Sequence, residues 1–303
     1  MKKYLALDIG GSAIKYAVVD EDIKLMCKGK EKTPMDTIES FVEVIGKIFD
    51  AFADRIEGIA ISMPGVIDSK KGFAVHGGSL SYIRNCNIIE ILQRRCPTKI
   101  HLENDGKCAA LGEFWKGSLK GCNDGIVMVL GTGIGGGIIS NGELVKGNNF
   151  SAGEFSFIRT NSEKRSDYHN FFGAENGVNS LISGVARKKN VQARELDGVK
   201  VFEMANEGDE EVLEVLDKYC EGIALQILNL QNILDPEKVA IGGGISEQPL
   251  LIKYIVDNIE KIHNSSPRNN VHPKVVQCTF NNDANIIGAI YNYRVNEKLL
   301  IGK

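Results

Sequence analysis

The sequence predicts an α/β protein with two lobes. Apolar runs of strand length alternate along the chain with segments of helical period, which is the pattern of an α/β fold. A chain of 303 residues exceeds the usual size of one hydrophobic core, so two lobes are the default expectation. Glycine-rich turns follow Asp8 in the first half and Leu130 in the second, which suggests two similar halves.

The first lobe is assigned to residues 1–115, and the final helix, residues 284–303, is expected to pack back on it. Apolar runs at residues 4–7, 16–19 and 23–27 are separated by short polar turns, so they predict an antiparallel meander of three strands. The further elements predicted here are a helix over 37–52, a buried strand over 58–63, a short helix over 88–92, a strand over 99–102 and a helix over 106–115.

The second lobe is assigned to residues 116–283 and begins with a glycine-rich hairpin. The elements predicted after it are a polar, irregular segment over 146–170, a long helix over 210–233, a strand over 239–242, a helix over 249–262 and a strand over 275–278.

Composition limits the function classes. The net charge of -3 gives no reason to expect nucleic acid or an anionic membrane as a partner. No apolar run reaches the roughly 18 residues that a membrane helix needs. The seven cysteines are scattered and form no CxxC pair, which argues against a disulfide framework or a zinc knuckle. We therefore expect a reduced, cytoplasmic protein.

The glycine-rich turn at residues 131–137 is a candidate phosphate site. Gly131, Thr132 and Gly133 begin a stretch with almost no side chains, where backbone N–H groups can point into one concavity. Such a concavity binds anions, most often phosphate. A tight hairpin in a glycine-rich protein is the alternative explanation.

Two further polar motifs stand at predicted strand ends. Asp8 is followed by Gly10 and Gly11, and Asn104 and Asp105 lie between a strand and a helix, where polar side chains meet a cleft. Each motif alone has a structural explanation, because Asp8 can cap a turn and Asn104 or Asp105 can cap a helix.

Taken in order, six motifs resemble the ROK family of sugar kinases and sugar-responsive repressors. They are residues 8–12 (Asp-Ile-Gly-Gly-Ser), 103–105 (Glu-Asn-Asp), 111–113 (Leu-Gly-Glu), 131–137, 152–155 (Ala-Gly-Glu-Phe) and 241–246 (Ile-Gly-Gly-Gly-Ile-Ser). The resemblance covers essentially the whole chain. It implies an actin-like ATPase fold, related to ribonuclease H, with a nucleotide and a sugar in the cleft between two lobes.

The resemblance also implies roles for residues on the nucleotide side. Asp8 would hold Mg²⁺ through the phosphates of ATP, since Mg²⁺ is bound through one or two carboxylates plus substrate phosphates. The nucleotide-binding residues that it implies are Asp8, Gly10, Gly11, Ser12, Lys15, Gly131, Thr132, Gly133, Gly243 and Gly244. For the last two, close packing of a strand on a helix is the alternative.

On the sugar side, the resemblance makes Asp105 the general base and Asn104 a sugar ligand. A sugar hydroxyl is a poor nucleophile, so a carboxylate must accept its proton as the phosphoryl group arrives. Glu154 and a loop glycine, Gly78, would be further sugar contacts. Glu175 is either another contact or an exposed loop charge.

The chain departs from the family pattern at three places. Phe157 stands where the zinc-binding members have His, and residues 167–172 replace their cysteine cluster, so His169 alone cannot build a zinc site. Lys107 stands where the family usually has Asn. A cation there could lower the pKa of the base, but we interpret Lys107 as a solvated helix lysine. The lack of zinc ligands resembles the branch with β-glucoside and N-acetylmannosamine kinases.

We therefore expect a kinase that uses ATP and Mg²⁺ to make a sugar 6-phosphate, and that forms a homodimer. The first phosphate turn begins at Asp8, which leaves no room for the winged helix of ROK repressors, so a kinase is favoured. A sugar-sensing regulator and an actin-like nucleotide hydrolase are the alternatives. The sugar itself stays open among glucose, fructose, N-acetylmannosamine and β-glucosides.

Overall fold

A computed structural model describes residues 2–160, 170–265 and 271–299. The strands in chain order are β1 (Lys3–Ile9), β2 (Ala13–Asp20), β3 (Leu25–Lys32), β4 (Gly58–Met63), β5 (Val66–Asp68), β6 (Phe73–Gly77), β7 (Leu80–Asn87), β8 (Lys99–Asn104), β9 (Gly125–Leu130), β10 (Ile134–Ser140), β11 (Glu143–Leu144), β12 (Lys238–Gly242) and β13 (Val275–Gln277). The helices are α1 (Ile38–Asp50), α2 (Ile88–Arg95), α3 (Asp105–Lys116), α4 (Phe172–Asn176), α5 (Val178–Lys189), α6 (Gly198–Asn206), α7 (Glu210–Leu234), α8 (Pro249–Asn264) and α9 (Ala284–Asn296).

The chain forms two compact units. The described residues up to Lys116, together with Lys146–Ala152 and the residues from Asp283 onward, make the first unit. Gly117–Val145 and the described residues of Gly153–Asn282 make the second unit. The division expected from the sequence did not include segment 146–152 in the first unit.

The sheet of the first unit has the strand order β3-β2-β1-β4-β8. β1, β2 and β3 form the predicted antiparallel meander, and β4 and β8 continue the sheet parallel to β1. The third strand begins at Leu25 rather than Ile23. The reason is a turn in which Asp20 Oδ1 accepts hydrogen bonds from the N–H of Asp22 (3.0 Å) and of Lys24 (2.9 Å).

Both faces of this sheet are buried, as the alternation of side chains along β1 requires. Leu5 and Leu7 lie in one core cluster with residues of α1 and α2. Tyr4 and Ala6 point the other way and lie in a second cluster with residues of α3 and α9. The sheet is therefore fixed from both sides, and the carboxyl ends of β1, β4 and β8 are held in register.

The sheet of the second unit repeats this plan with the order β11-β10-β9-β12-β13. β9, β10 and β11 are antiparallel, and β12 and β13 run parallel to β9. Ile126, Met128 and Leu130 of β9 are buried with apolar residues of α7, including Leu216 and Ile223. The two halves suggested by the glycine-rich turns thus have the same strand order and the same strand directions.

Some elements were not predicted. β5, β6 and β7 form a separate three-stranded sheet, and α5 and α6 precede the predicted helix α7. The segment predicted to be irregular contains a short 3₁₀ turn, Phe155–Phe157, and its residues 161–169 lie outside the described part of the chain. Within the described part, none of the helices is long and apolar enough to cross a membrane.

Candidate active site

Asp8 is the last but one residue of β1 and is buried at the carboxyl end of the strand. Its Oδ1 accepts hydrogen bonds from Ser62 Oγ (3.1 Å) and Asn285 Nδ2 (2.9 Å). Among the described residues no hydrogen-bond donor reaches Oδ2, which faces Lys15 Nζ at 4.0 Å. The carboxylate is thus oriented through one oxygen, and the other is available to a cation or to groups that a cation bridges.

The turn after Asp8 is tight and carries little side-chain bulk. The N–H of Gly10 donates to the carbonyl of Ala13 at 3.0 Å, and Thr33 Oγ1 donates to the carbonyl of Gly10 at 2.7 Å. Gly11 and Ser12 are exposed at the tip of the turn. A Cβ added to Gly11 would lie 3.0 Å from Ser79 Oγ, so the turn lies against the β6–β7 turn.

Asn104 and Asp105 lie where β8 ends and α3 begins. Asn104 Oδ1 accepts a hydrogen bond from the N–H of Lys107 (3.1 Å), so Asn104 is the helix cap that the sequence offered as an alternative. Its Nδ2 donates to the carbonyl of Gly65 at 3.0 Å. A carboxamide has two donor hydrogens and two acceptor lone pairs, so half of this capacity is left for a ligand.

Asp105 is the first residue of α3, and its Oδ1 accepts a hydrogen bond from the N–H of Gly106 at 2.8 Å. A carboxylate at a helix N-terminus is stabilised by the helix dipole. Burial raises the pKa of the neighbouring Cys108 thiol well above its ordinary value, and the charges of Glu103 and Asp105 add to this effect. Cys108 therefore stays a neutral thiol and is no candidate nucleophile.

Gly78 belongs to the same corner of the first unit. It has a φ of +61, and a Cβ added to it would lie 3.2 Å from the backbone nitrogen of Gly65. Gly65 has a φ of +107, and a Cβ there would lie 2.0 Å from the carbonyl oxygen of His76. Gly78 therefore lies beside the glycine whose carbonyl binds Asn104.

The interpretation of Lys107 as a solvated helix lysine is wrong. Its side chain is 2% exposed, and Nζ donates a hydrogen bond to the carbonyl of Phe150 at 3.1 Å. A second lysine of the same region, Lys146, forms an ion pair of 2.6 Å with Oε2 of the fully buried Glu103, and it also contacts Ser69 Oγ. These contacts explain why segment 146–152 belongs to the first unit.

In the second unit, the predicted phosphate turn lies between β9 and β10. The N–H of Gly131 donates to the carbonyl of Gly133 (2.9 Å), and the carbonyl of Gly131 accepts from the N–H of Val178 (2.8 Å). A Cβ on Gly177 would lie 2.3 Å from the carbonyl oxygen of Thr132. The start of α5 therefore packs directly against this turn.

A cavity of about 380 Å³ lies next to the turn, within the second unit. This volume is in the range of pockets that bind small molecules. The residues that line it include Gly131, Thr132, Asn179, Phe202, Gly244 and Gln248. The structure thus brings the predicted nucleotide residues Gly131, Thr132 and Gly244 to one pocket.

The glycines at positions 243 and 244 of the second glycine-rich turn have different surroundings. Its φ is +97, and a Cβ there would lie 2.0 Å from the carbonyl oxygen of Leu130, so only glycine fits. A Cβ on Gly244 would meet nothing within 4 Å. Close packing therefore accounts for Gly243, while Gly244 faces the cavity.

The two predicted sugar carboxylates also belong to the second unit. Glu154 is half-buried and immediately precedes the 3₁₀ turn Phe155–Phe157, and Glu175 is exposed on α4. Their segments pack together, because the N–H of Phe172 donates to the carbonyl of Ile158 at 2.8 Å. The exposure of Glu175 leaves both explanations of this residue open.

No group of three or more His, Cys, Asp or Glu side chains could hold a metal ion among residues 2–160, 170–265 and 271–299. His169 lies outside these residues. The expected absence of zinc therefore stays a prediction.

Several residues of these sites were not predicted from the sequence. Ser62 and Asn285 orient Asp8, and Asn179 and Gln248 line the cavity. For Ser62 a signal existed, because it lies in the strand that runs into the Pro-Gly turn. Asn285 is far from Asp8 in the chain, and nothing in its local pattern marks it.

Comparisons with known proteins give matches along nearly the whole chain. A model of the ROK family matches residues 4–294. The β-glucoside kinase of Listeria monocytogenes serovar 1/2a is 31% identical over 97% of this chain and 98% of its own length. The glucokinase of Halalkalibacterium halodurans is 30% identical over 94% of this chain and 93% of its own. The crystal structure of a ROK family protein from Streptococcus pneumoniae TIGR4 in complex with sucrose has a TM-score of 0.88 and 28% identity, covering 98% of this chain and 100% of that one.

Proposed function

The chain belongs to the ROK family and is a carbohydrate kinase, and we propose that it transfers the γ-phosphoryl group of ATP to the 6-hydroxyl of a hexose or hexoside. The actin-like ATPase fold that the resemblance implied is confirmed by the similarity to the ROK structure and agrees with the repeated strand order of the two sheets. The position of the hydroxyl and the roles of individual residues are the parts that we propose.

One observation carries the proposal. Asp8, Ser62 and Glu103 form a row across the parallel strands β1, β4 and β8, and Asn104 and Asp105 follow directly at the end of β8. Ligands of open α/β sheets bind outside the carboxyl ends of the strands. In a carbohydrate kinase this edge would therefore hold the reacting groups, with Asp8 toward phosphate and Asp105 toward the sugar.

The chemistry assigned to Asp105 is general-base catalysis. The sugar hydroxyl oxygen forms a bond to the γ-phosphorus, the bond from that phosphorus to the β–γ bridging oxygen breaks, and its electron pair leaves with ADP. The hydroxyl proton passes to the carboxylate of Asp105. Phosphoryl transfer needs alignment and charge stabilisation beyond this step. Asn104 would supply alignment through the unused half of its carboxamide.

Asp8 fits a role in holding Mg²⁺ through the phosphates. Its Oδ1 is fixed by Ser62 and Asn285, and Oδ2 has no hydrogen-bond donor within the described residues. When bound, Mg²⁺ would neutralise charge on the phosphates. Gly10, Gly11 and Ser12 would contact phosphate, and Lys15, whose amine is 4.0 Å from Asp8 Oδ2, would add positive charge.

For the nucleoside part of ATP we propose the cavity of the second unit. Its volume of about 380 Å³ and the glycine and apolar residues of its lining suit a flat, largely apolar group. Asn179 and Gln248 offer donors and acceptors for the polar edge of a base. Glu154 and Glu175 are proposed as ligands of sugar hydroxyls, because an ionised carboxylate accepts several hydrogen bonds.

The direct test is a coupled assay of ADP release over a panel of hexoses, N-acetylhexosamines and β-glucosides with ATP and Mg²⁺. We expect ADP release that depends on sugar and yields a 6-phosphate, identified by NMR. Sugar binding without ADP release would favour a sensor, and ADP release without sugar would favour a nucleotide hydrolase. Either result would overturn the proposal.

A further inference from the structure

Two phenylalanines form an aromatic pair in the second unit, and one of them is exposed. The rings of Phe157 and Phe171 meet edge to face, with centroids 6.1 Å apart. The guanidinium of Arg159 lies over the ring of Phe171 at 4.1 Å from its centroid. Phe157 is nevertheless 64% exposed. An aromatic side chain is therefore open to solvent, and its neighbour packs against a cation.

This pair is linked through the backbone to the two residues that carry the proposed sugar carboxylates. The N–H of Phe157 donates to the carbonyl of Glu154 at 3.1 Å. The N–H of Glu175 donates to the carbonyl of Phe171 at 3.0 Å. Each phenylalanine therefore lies within one turn of chain from a residue that we propose as a sugar ligand.

Phe157 is not part of the core cluster of the second unit. A core phenylalanine is buried, as Phe155 and Phe172 on either side of the pair are, at 3% and 0% exposed. Ser156, between the two phenylalanines of the 3₁₀ turn, accepts a hydrogen bond from the N–H of Ile134 through Oγ (2.7 Å). The turn is thus fixed by its buried residues, and Phe157 points away from that core.

We propose that Phe157 and Phe171 form a subsite for the second ring of a β-linked glycoside. This rests on the proposed sugar kinase function and narrows its substrate class. The first hexose would be bound by polar groups, and the ring attached to its anomeric oxygen would stack on Phe157. Aromatic side chains supply contact area to flat rings, while a few polar groups orient the ligand.

The comparisons agree with a two-ring substrate. A relative with 31% identity is a β-glucoside kinase, and a similar ROK structure holds sucrose, a sugar of two rings. We choose a β linkage between the two rings because the relative with 31% identity is a β-glucoside kinase. A free hexose has no second ring that could stack on Phe157.

The test compares glycosides that differ only in the aglycone. We would measure kcat/KM for methyl β-D-glucoside, phenyl β-D-glucoside and cellobiose. The wild-type protein is expected to prefer the two ring-bearing substrates by about tenfold, which corresponds to about 1.4 kcal/mol. Phe157→Ala should remove this preference and leave methyl β-D-glucoside within about twofold of wild type, while Phe157→Tyr, which keeps the ring, should retain it.

Ile233→Ala is the matched control, because Ile233 is 74% exposed on α7 and outside the proposed site. Phosphorylation of methyl β-D-glucoside without any preference for a second ring would overturn the subsite and leave the kinase proposal standing. The subsite would also be overturned if Phe157→Ala lowered kcat/KM equally for every substrate. The same holds if light scattering showed that this variant has a changed association state. Failure to phosphorylate any sugar would end both proposals.

Discussion

The amine of Lys107 donates a hydrogen bond to the backbone carbonyl of Phe150, 3.1 Å away and 43 residues later in the chain. Phe150 has a left-handed backbone conformation, with a φ of 59, in segment 146–152. The same segment is bound by the ion pair between Lys146 and Glu103. Two lysines therefore connect this segment to the corner where β8 ends and the candidate base begins α3.

We expect Lys107→Ala to lower the free energy of unfolding by about 2–4 kcal/mol, because it leaves a cavity and deprives the Phe150 carbonyl of a donor. Urea unfolding measures this loss. Lys47→Ala is the matched control, since Lys47 is an exposed helix lysine of the same unit. Equal stability of the two variants would contradict the buried role.

Gly243→Ala and Gly244→Ala should differ sharply although the residues are neighbours. Gly243 has a φ of +97, and a Cβ there would lie 2.0 Å from the carbonyl oxygen of Leu130. We therefore expect Gly243→Ala to lower the free energy of unfolding by about 1–3 kcal/mol. Gly244→Ala has open space and should fold normally. Because Gly244 lines the cavity, its variant should instead raise the KM for ATP. A stable Gly243→Ala protein would show that the turn adapts.

Much of the fold and part of the site could be predicted from local pattern. β1, β4 and β8 are apolar runs of strand length, and glycine-rich turns mark the ends at which Asp8 and Gly131 stand. The burial of Lys107 could not be predicted, since it depends on a segment 43 residues away that packs on α3. The hydrogen bond from Asn285 to Asp8 spans 277 residues and has no local signal either.

The short strands β5, β6 and β7 were not predicted either, because their own sequence carries no clear pattern. β5 has three residues, and β6 and β7 alternate buried and exposed positions irregularly around register shifts. A period of two is not visible over such lengths. These strands are stabilised by packing into the core of the first unit rather than by their own pattern.

Asp8→Asn should lower kcat, and raising the Mg²⁺ concentration should recover part of the loss. The amide keeps the size of the side chain but lacks the negative charge that Mg²⁺ prefers in its ligands. Initial rates over a Mg²⁺ series measure this. Asp20→Asn is the control, because Asp20 is a buried aspartate of the same sheet whose carboxylate accepts a hydrogen bond within a turn. An Asp8→Asn protein with the Mg²⁺ dependence of the control would remove Asp8 from this role.

The end of α9 should contribute a pH-dependent part of the stability. Hydrogen bonds from Lys99 and His101 hold the pKa of Glu297 below its ordinary value of 4.5. A carboxylate with a lowered folded pKa stabilises the fold above its unfolded pKa and loses this contribution as the pH falls through the folded value. Glu297→Gln should therefore be destabilised relative to wild type at pH 7, and the difference should shrink below about pH 4. Thermal unfolding at both pH values measures it, and a difference independent of pH would contradict the assignment.

Asp105→Asn tests most directly whether Asp105 is the general base. The amide is nearly the same size and can still hydrogen-bond the sugar hydroxyl, but it is not basic at neutral pH. We expect kcat to fall by about a hundredfold to ten thousandfold, while the KM for the sugar changes little. Calorimetric binding of the sugar to the variant would confirm that the ground-state contacts survive. A variant that keeps more than about a tenth of the wild-type kcat, a loss of under about 1.4 kcal/mol, would contradict this account, because that is too small for the removal of the base.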